Sequence, residues 1–285
     1  MKKIKLFEDI ESSVIGFGCA PILGAVDSKT AKEAINLALE LGVNHFDLAR
    51  SYGYGEAEKF VGKLLMPNRK NVVISSKFGI KANFKAKLFR PLKPLARDII
   101  DIKKKYLGKI NDEKINHEKL NKTNKISNIF HNRIELNPKE MTLSLEESLK
   151  SLGTDYLDYY FIHEPIDKIL NIEELLETGI KLKKEGKIRA FGIAFMQSET
   201  EAHSEYLNKF DILQYNNSPG IDGYNELVKN RGGVSNIFFS PINGGDIKLS
   251  VEEKLLKLNQ DFPKSVILCS MFNKKHIQNN VSIFK

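Results

Sequence analysis

Eight short β-rich runs alternate with helical patterns along this chain, and that rhythm constrains its fold more than any single motif does. The runs fall at residues 14–17, 44–47, 72–75, 157–163, 190–193, 212–214, 237–240 and 266–268. Helical stretches at 30–41, 57–65, 143–152, 172–185, 200–207 and 251–258 separate them. Three of these carry capping-box spacing: Thr30 with Glu33, Ser144 with Glu147, and Ser250 with Glu253. Glycines close others, at Leu41-Gly42, Leu152-Gly153 and Glu185-Gly186. Eight strand–helix repeats in 285 residues predict an α/β protein, a closed (β/α)8 TIM barrel in one domain. The alternative, an open doubly wound sheet, calls for Gly-x-Gly-x-x-Gly after the first strand. Gly16-Phe17-Gly18-Cys19-Ala20-Pro21 lacks the third glycine.

One stretch breaks the rhythm. About sixty residues lie between Lys77, at the end of the third strand, and the helix expected near Thr142. They define an insertion over residues 81–138. A loop that follows a barrel strand lies on the face where active sites form, so the insertion is a candidate lid. Its first part spaces Leu88, Leu92, Leu95, Ile99, Ile102 and Tyr106 as an amphipathic helix would, although Pro91 and Pro94 interrupt its start. Residues 111–132 are rich in Asn and Lys and read as a mobile loop. The net charge of +8 is concentrated here: residues 81–133 hold 15 Lys and Arg against 5 Asp and Glu. The basic character therefore belongs to one segment and leaves the rest slightly acidic. Few aromatics and no reading module accompany it, which argues against nucleic acid as the partner.

No apolar run is long enough to span a bilayer, and the first residues lack the apolar core of a signal peptide. Cys19 and Cys269 are the only cysteines, lie in apolar strands and have no metal-ligand spacing. A reduced, cytoplasmic setting without a metal is expected. No feature sets an oligomeric state.

The chemistry gathers at strand ends. Asp47 ends the second strand, and Tyr52 follows on the glycine turn that opens the next helix. Lys77 ends the third strand and His163 the fourth. Each has an ordinary structural explanation alone, but at consecutive strand ends they form an acid/base set. A phenol titrates near 10, and a neighbouring ammonium lowers that value. A carboxylate beside the lysine holds it in place, and a histidine can polarise a carbonyl oxygen. The set suits proton transfer to an oxygen that gains negative charge.

These residues carry a resemblance to the aldo-keto reductases. Asp47-Leu48-Ala49-Arg50-Ser51-Tyr52-Gly53-Tyr54-Gly55-Glu56, continuing to Glu58 and Gly62, resembles the pattern around that family's tyrosine. Val73-Ile74-Ser75-Ser76-Lys77 resembles its lysine strand, and Leu152-Gly153-Thr154-Asp155-Tyr156-Leu157-Asp158 the turn that leads to Ile162-His163-Glu164-Pro165. Lys184-Glu185-Gly186-Lys187-Ile188-Arg189 is similar to the run into its fifth strand. The resemblance implies carbonyl reduction with NADP, NAD being possible, with Tyr52 as proton donor. Lys77 and Asp47 would tune it and His163 would orient the substrate.

The implied cofactor contacts are Gln214, Phe239, Ser240, Gly244, Ser270, His276 and Asn280. Two departures accompany them: Ala194-Phe195 replaces a Ser-Asn pair, and His276 replaces an arginine expected near a 2′-phosphate. The expected substrate is an aldehyde, ketone or sugar. Arg50 and the basic insertion point to an anionic one. Two other classes remain open: a cofactor-binding regulatory barrel with little turnover, and a barrel whose basic insertion docks on an anionic membrane or partner.

Overall fold

The computed structural model of the protein describes residues 1–89, 130–232 and 234–285. The chain opens with an antiparallel hairpin, β1 (Lys3–Phe7) and β2 (Ile10–Ser13). The first barrel strands are β3 (Ile15–Gly18), β4 (His45–Asp47) and β5 (Val73–Phe78). A short antiparallel pair follows, β6 (Ile80–Ala82) and β7 (His131–Arg133). The barrel continues with β8 (Leu157–His163), β9 (Ile188–Phe195), β10 (Ile212–Asn216), β11 (Asn236–Phe239) and β12 (Val266–Cys269). All eight barrel strands are parallel, and β12 pairs back with β3 to close the ring. The described helices are α1 (Ser28–Glu40), α2 (Ala57–Leu65), α3 (Phe84–Phe89), α4 (Pro138–Leu152) and α5 (Ile172–Lys184), then α6 (Thr200–His203), α7 (Glu226–Asn230), α8 (Val251–Asp261) and α9 (Lys274–Ser282). None is long and apolar enough to cross a membrane.

Barrel strands are covered on both faces, which is why they read as continuous apolar runs. All seven residues of β8 are buried. One core layer lies between strands and helices and includes Ile35, Val61, Leu145, Leu175 and Leu255. A second fills the barrel with Val73, Tyr159, Phe161, Ile212, Ile237 and Val266. Leu6 and Ile10 of the N-terminal hairpin belong to this inner cluster. Most of their partners stand at strand starts, so the hairpin closes the end of the barrel away from the strand termini. Alternation and turn signals in the sequence did not point to this floor.

All eight predicted strands are present, with ends shifted by a few residues. The predicted helix ends needed more correction. Ser250 and Glu253 form the expected capping box. Thr30 does not cap α1: Asp27, one turn earlier, accepts from the Lys29 and Thr30 amides and takes the Thr30 hydroxyl as well. Ser144 and Glu147 lie inside α4, which Asn137 caps and Pro138 begins. The expected helix 200–207 stops at His203. That side chain turns inward between the Tyr206 hydroxyl (2.7 Å) and the Pro165 carbonyl (3.0 Å).

The insertion starts and ends as a paired stem, with Ile80 opposite Arg133 and Ala82 opposite His131. The chain therefore leaves and returns at one point beside β5. The amphipathic spacing from Leu88 to Tyr106, the Asn/Lys-rich loop and the lid reading fall mainly on residues 90–129, outside the described residues.

Candidate active site

The strand ends converge as predicted. Lys77 Nζ lies 2.6 Å from Asp47 Oδ2, 2.8 Å from the Leu48 carbonyl and 3.4 Å from the Tyr52 hydroxyl. Its three N–H donors thus have three acceptors, which fixes the ammonium beneath the phenol. Asp47 also accepts from Ser75 Oγ (2.8 Å) and Gln214 Nε2 (2.9 Å). The buried carboxylate is fully engaged and cannot swing away. Tyr52 is placed by a tight 3-10 turn, Tyr52–Gly55, in which Gly53, Tyr54 and Gly55 all have positive φ (58°, 60° and 84°). A Cβ on Gly53 would lie 2.8 Å from the Ile22 carbonyl, so this position needs glycine for space and conformation alike. The His163 ring stands edge-on to Tyr52, with centroids 5.9 Å apart.

The electrostatics differ from the expectation for Tyr52. Its pKa is raised well above 10, first by burial, then by Asp47, Glu164 and Cys19. Burial first, and the Asp47 carboxylate second, outweigh the nearby ammonium, so the phenol keeps its proton. His163 is held well below 6.5 by burial and by the positive charges of Lys77 and Arg133, with His131 adding to the effect. Its imidazole is neutral near pH 7, and its Nδ1 is buried without a hydrogen-bond partner.

These groups line a cavity of about 650 Å³ at the strand ends. The insertion stem supplies Ile80, His131 and Arg133 to its wall, and β8 is followed there by Glu164. Arg133 Nη1 donates to the Glu164 carbonyl (2.5 Å), a residue with φ of 46°. Ser51, Glu164, His131 and Arg133 are wall residues that no strand-end or motif signal marks as such. Arg133 was visible only as one of the 15 cations in the insertion.

Arg50 needs correction. It does not line the cavity. Its guanidinium pairs with Glu58 (2.5 Å) and Glu147 (2.6 Å), tying the turn after β4 to α2 and α4. Glu58 is nearly fully buried and also accepts from Ser76 Oγ. Two carboxylates already occupy the fork, so a substrate anion has no access to it. The motif around Tyr52 divides accordingly: Asp47 and Tyr52 face the cavity, whereas Arg50, Glu58 and Gly62 hold the helices.

A second cavity, about 700 Å³, adjoins the first and shares Ser240, Leu268 and Ser270 with it. It runs outward between the loop after β11 and helix α9, past His276, Asn279 and Asn280. The two cavities meet at those shared residues, and the side chains of the first fit a nicotinamide end. Gln214 Oε1 is buried on the first cavity's wall without a hydrogen-bond partner, and a carboxamide N–H would satisfy it. Phe239 is half-buried on the same wall. In place of the expected Ser-Asn pair, only Ala194 faces the cavity; Phe195 points to the opposite side of β9, against His203 and Tyr215. Gly244 lines neither cavity. Its carbonyl accepts from Lys254 Nζ (2.7 Å), and Gly245 packs against the Pro219 carbonyl.

Comparison with known proteins agrees with this architecture. The family model described as "Aldo/keto reductase family" matches residues 14–259. The chain is 30% identical to aldo-keto reductase YhdN of Bacillus subtilis over 193 residues, which are 65% of this chain and 44% of that protein. It is 28% identical to the NADH-specific methylglyoxal reductase of Escherichia coli over 225 residues, 75% of this chain and 58% of that protein. The chain thus spans about half the length of these curated relatives. Among solved structures, the holo form of aldo-keto reductase AKR11C1 from Bacillus halodurans superposes with a TM-score of 0.65 at 23% identity, covering 99% of this chain and 90% of that one. An aldo-keto reductase from Klebsiella pneumoniae in complex with NADPH gives 0.61 at 16% identity, covering 99% and 89%. With a family model spanning most of its length and the barrel to match, the chain belongs to the aldo-keto reductase family.

Proposed function

We propose that the protein is an NAD(P)H-dependent reductase of small polar carbonyl compounds, with Tyr52 as the proton donor. The observation that carries the reading is the lysine ammonium held between Asp47 and the Tyr52 hydroxyl at the floor of the cleft. The nicotinamide dinucleotide supplies the hydride when bound. Gln214 and Phe239 would hold its nicotinamide end, with Ser270 at the junction of the two cavities. Tyr52 Oη, protonated at rest, gives its proton to the carbonyl oxygen as negative charge develops there. Lys77, 3.4 Å away, stabilises the resulting phenolate, and Asp47 keeps Lys77 in register. Neutral His163 lines the same space and orients the oxygen.

For the substrate, Arg133 takes the place first given to Arg50. It is exposed on the cavity wall, and no carboxylate among the described residues pairs with it. Glu164 shares that wall, so preference for an anionic carbonyl compound would come from the guanidinium fork rather than from net charge.

Tyr52→Phe is expected to lower kcat by about a thousandfold while leaving the dinucleotide Kd unchanged. Cofactor oxidation with matched phosphorylated and neutral aldehydes tests both parts. Turnover undiminished in Tyr52→Phe would sink the catalytic assignment; equal kcat/KM for the two aldehydes would end the anionic preference.

A further inference from the structure

The outer cavity holds information about the dinucleotide that the catalytic end does not. We infer that this chain binds NADH in preference to NADPH and that Glu252 sets the preference; the inference rests on reading the joined cavities as the dinucleotide site. With the nicotinamide end at Gln214, the adenosine end falls in the outer cavity. Besides the buried Cys269 thiol, the ionisable side chains on that cavity's wall are Glu252 and His276; the polar side chains beside them, among them Ser250, Asn279 and Asn280, are neutral. No lysine or arginine among the described residues lines it.

The described cations nearest to it, Lys248, Lys254, Lys274, Lys275 and Lys285, do not line this cavity. Lys254 is buried and donates to the Ile242 and Gly244 carbonyls (3.3 and 2.7 Å). Lys274 lines the groove against α1, a separate cavity wall. Lys275 lies on α9 but not on the outer cavity's wall. The first amides of α9 offer no substitute, because Asn273 Oδ1 already accepts from the Lys275 and His276 N–H groups (2.9 and 3.3 Å). Glu252 stands in the first turn of α8, exposed, and forms no ion pair with any described residue.

A ribose 2′-phosphate brings roughly two negative charges and calls for an arginine fork or comparable donors. Here it would enter a cavity whose only permanently charged described group is a carboxylate. A free 2′-hydroxyl has the opposite requirement. It donates well to a carboxylate, as it does in the NAD sites of doubly wound dinucleotide-binding folds. Neutral Asn and Ser groups suit the rest of an adenosine.

The test is direct binding, independent of turnover. Isothermal titration of the full chain with NADH and with NADPH should give a Kd for NADH lower by about tenfold or more. Glu252→Gln should narrow the ratio, and Glu252→Lys should raise NADPH affinity until the ratio inverts. Because Glu252 is exposed, both variants should keep the parent's thermal midpoint. Equal or tighter NADPH binding by the parent overturns the preference. A ratio unmoved in both variants overturns the role of Glu252. Binding of neither nucleotide would remove the cleft assignment, and the proposed function with it.

Discussion

At the scale of single residues, the protein uses burial to set protonation. Tyr52 keeps its proton and His163 stays neutral, the state that the proposed proton transfer from Tyr52 requires. A more deeply buried group has a different consequence. His45 stacks on Tyr159, bonds to Ser12 Oγ, and is held at about 4 by desolvation. Its folded pKa lies below the unfolded value of 6.5, so below pH 6.5 the unfolded chain binds the proton more readily. This single group should remove about 3 kcal/mol of stability between pH 7 and pH 4. His163 and His203, lowered in the same direction, add to the loss. Urea midpoints at the two pH values should fall less in His45→Gln than in the parent; an identical fall would show that His45 is not a source of the acid sensitivity.

At the scale of elements, the Tyr52 turn depends on how α2 meets its neighbours. Gly62 brings α2 against the end of α4 so closely that a Cβ there would lie 2.3 Å from the Leu152 carbonyl and 2.7 Å from its Cα. Both are backbone atoms, which cannot rotate away. Gly62→Ala should therefore cost about 1–3 kcal/mol, read as a lower thermal midpoint; an unchanged midpoint would mean that the two helices separate freely. The motif was legible here, but its division of labour was not. Glu58 and Gly62 followed the pattern around Tyr52 in sequence, yet only the positions of β5 and α4 reveal that they bind helices together. Arg50 is the clearest case. An arginine between two candidate active-site residues invited a substrate role, and the partners that claim it, Glu58 and Glu147, are 8 and 97 residues away.

At the scale of the whole molecule, the barrel is a covered cylinder. The helices wrap it, the cleft opens at the strand ends, and the N-terminal hairpin seals the opposite end. Ile10, almost completely buried among residues from strand starts, should behave as a core residue despite lying outside the barrel. Ile10→Ala is expected to cost about 2–4 kcal/mol in urea unfolding, as a barrel-strand isoleucine would. A cost near zero would mean that the hairpin merely leans on the barrel.

The sequence by itself determined the eight-fold alternation, the positions of the strands and the four residues Asp47, Tyr52, Lys77 and His163. Each of these is local: periodicity, turn residues and strand ends are written in neighbouring positions. Tertiary structure decided what those residues meet. It bound Arg50 to α2 and α4, and brought Arg133 and His131 back to the cavity wall that Tyr52 shares through the pairing of β6 with β7. It also set Glu252 on the outer wall and raised Tyr52 where a neighbouring lysine predicted the reverse. Contacts between residues distant in the chain, and the desolvation that accompanies them, depend on how the barrel closes, and no short stretch of sequence encodes that.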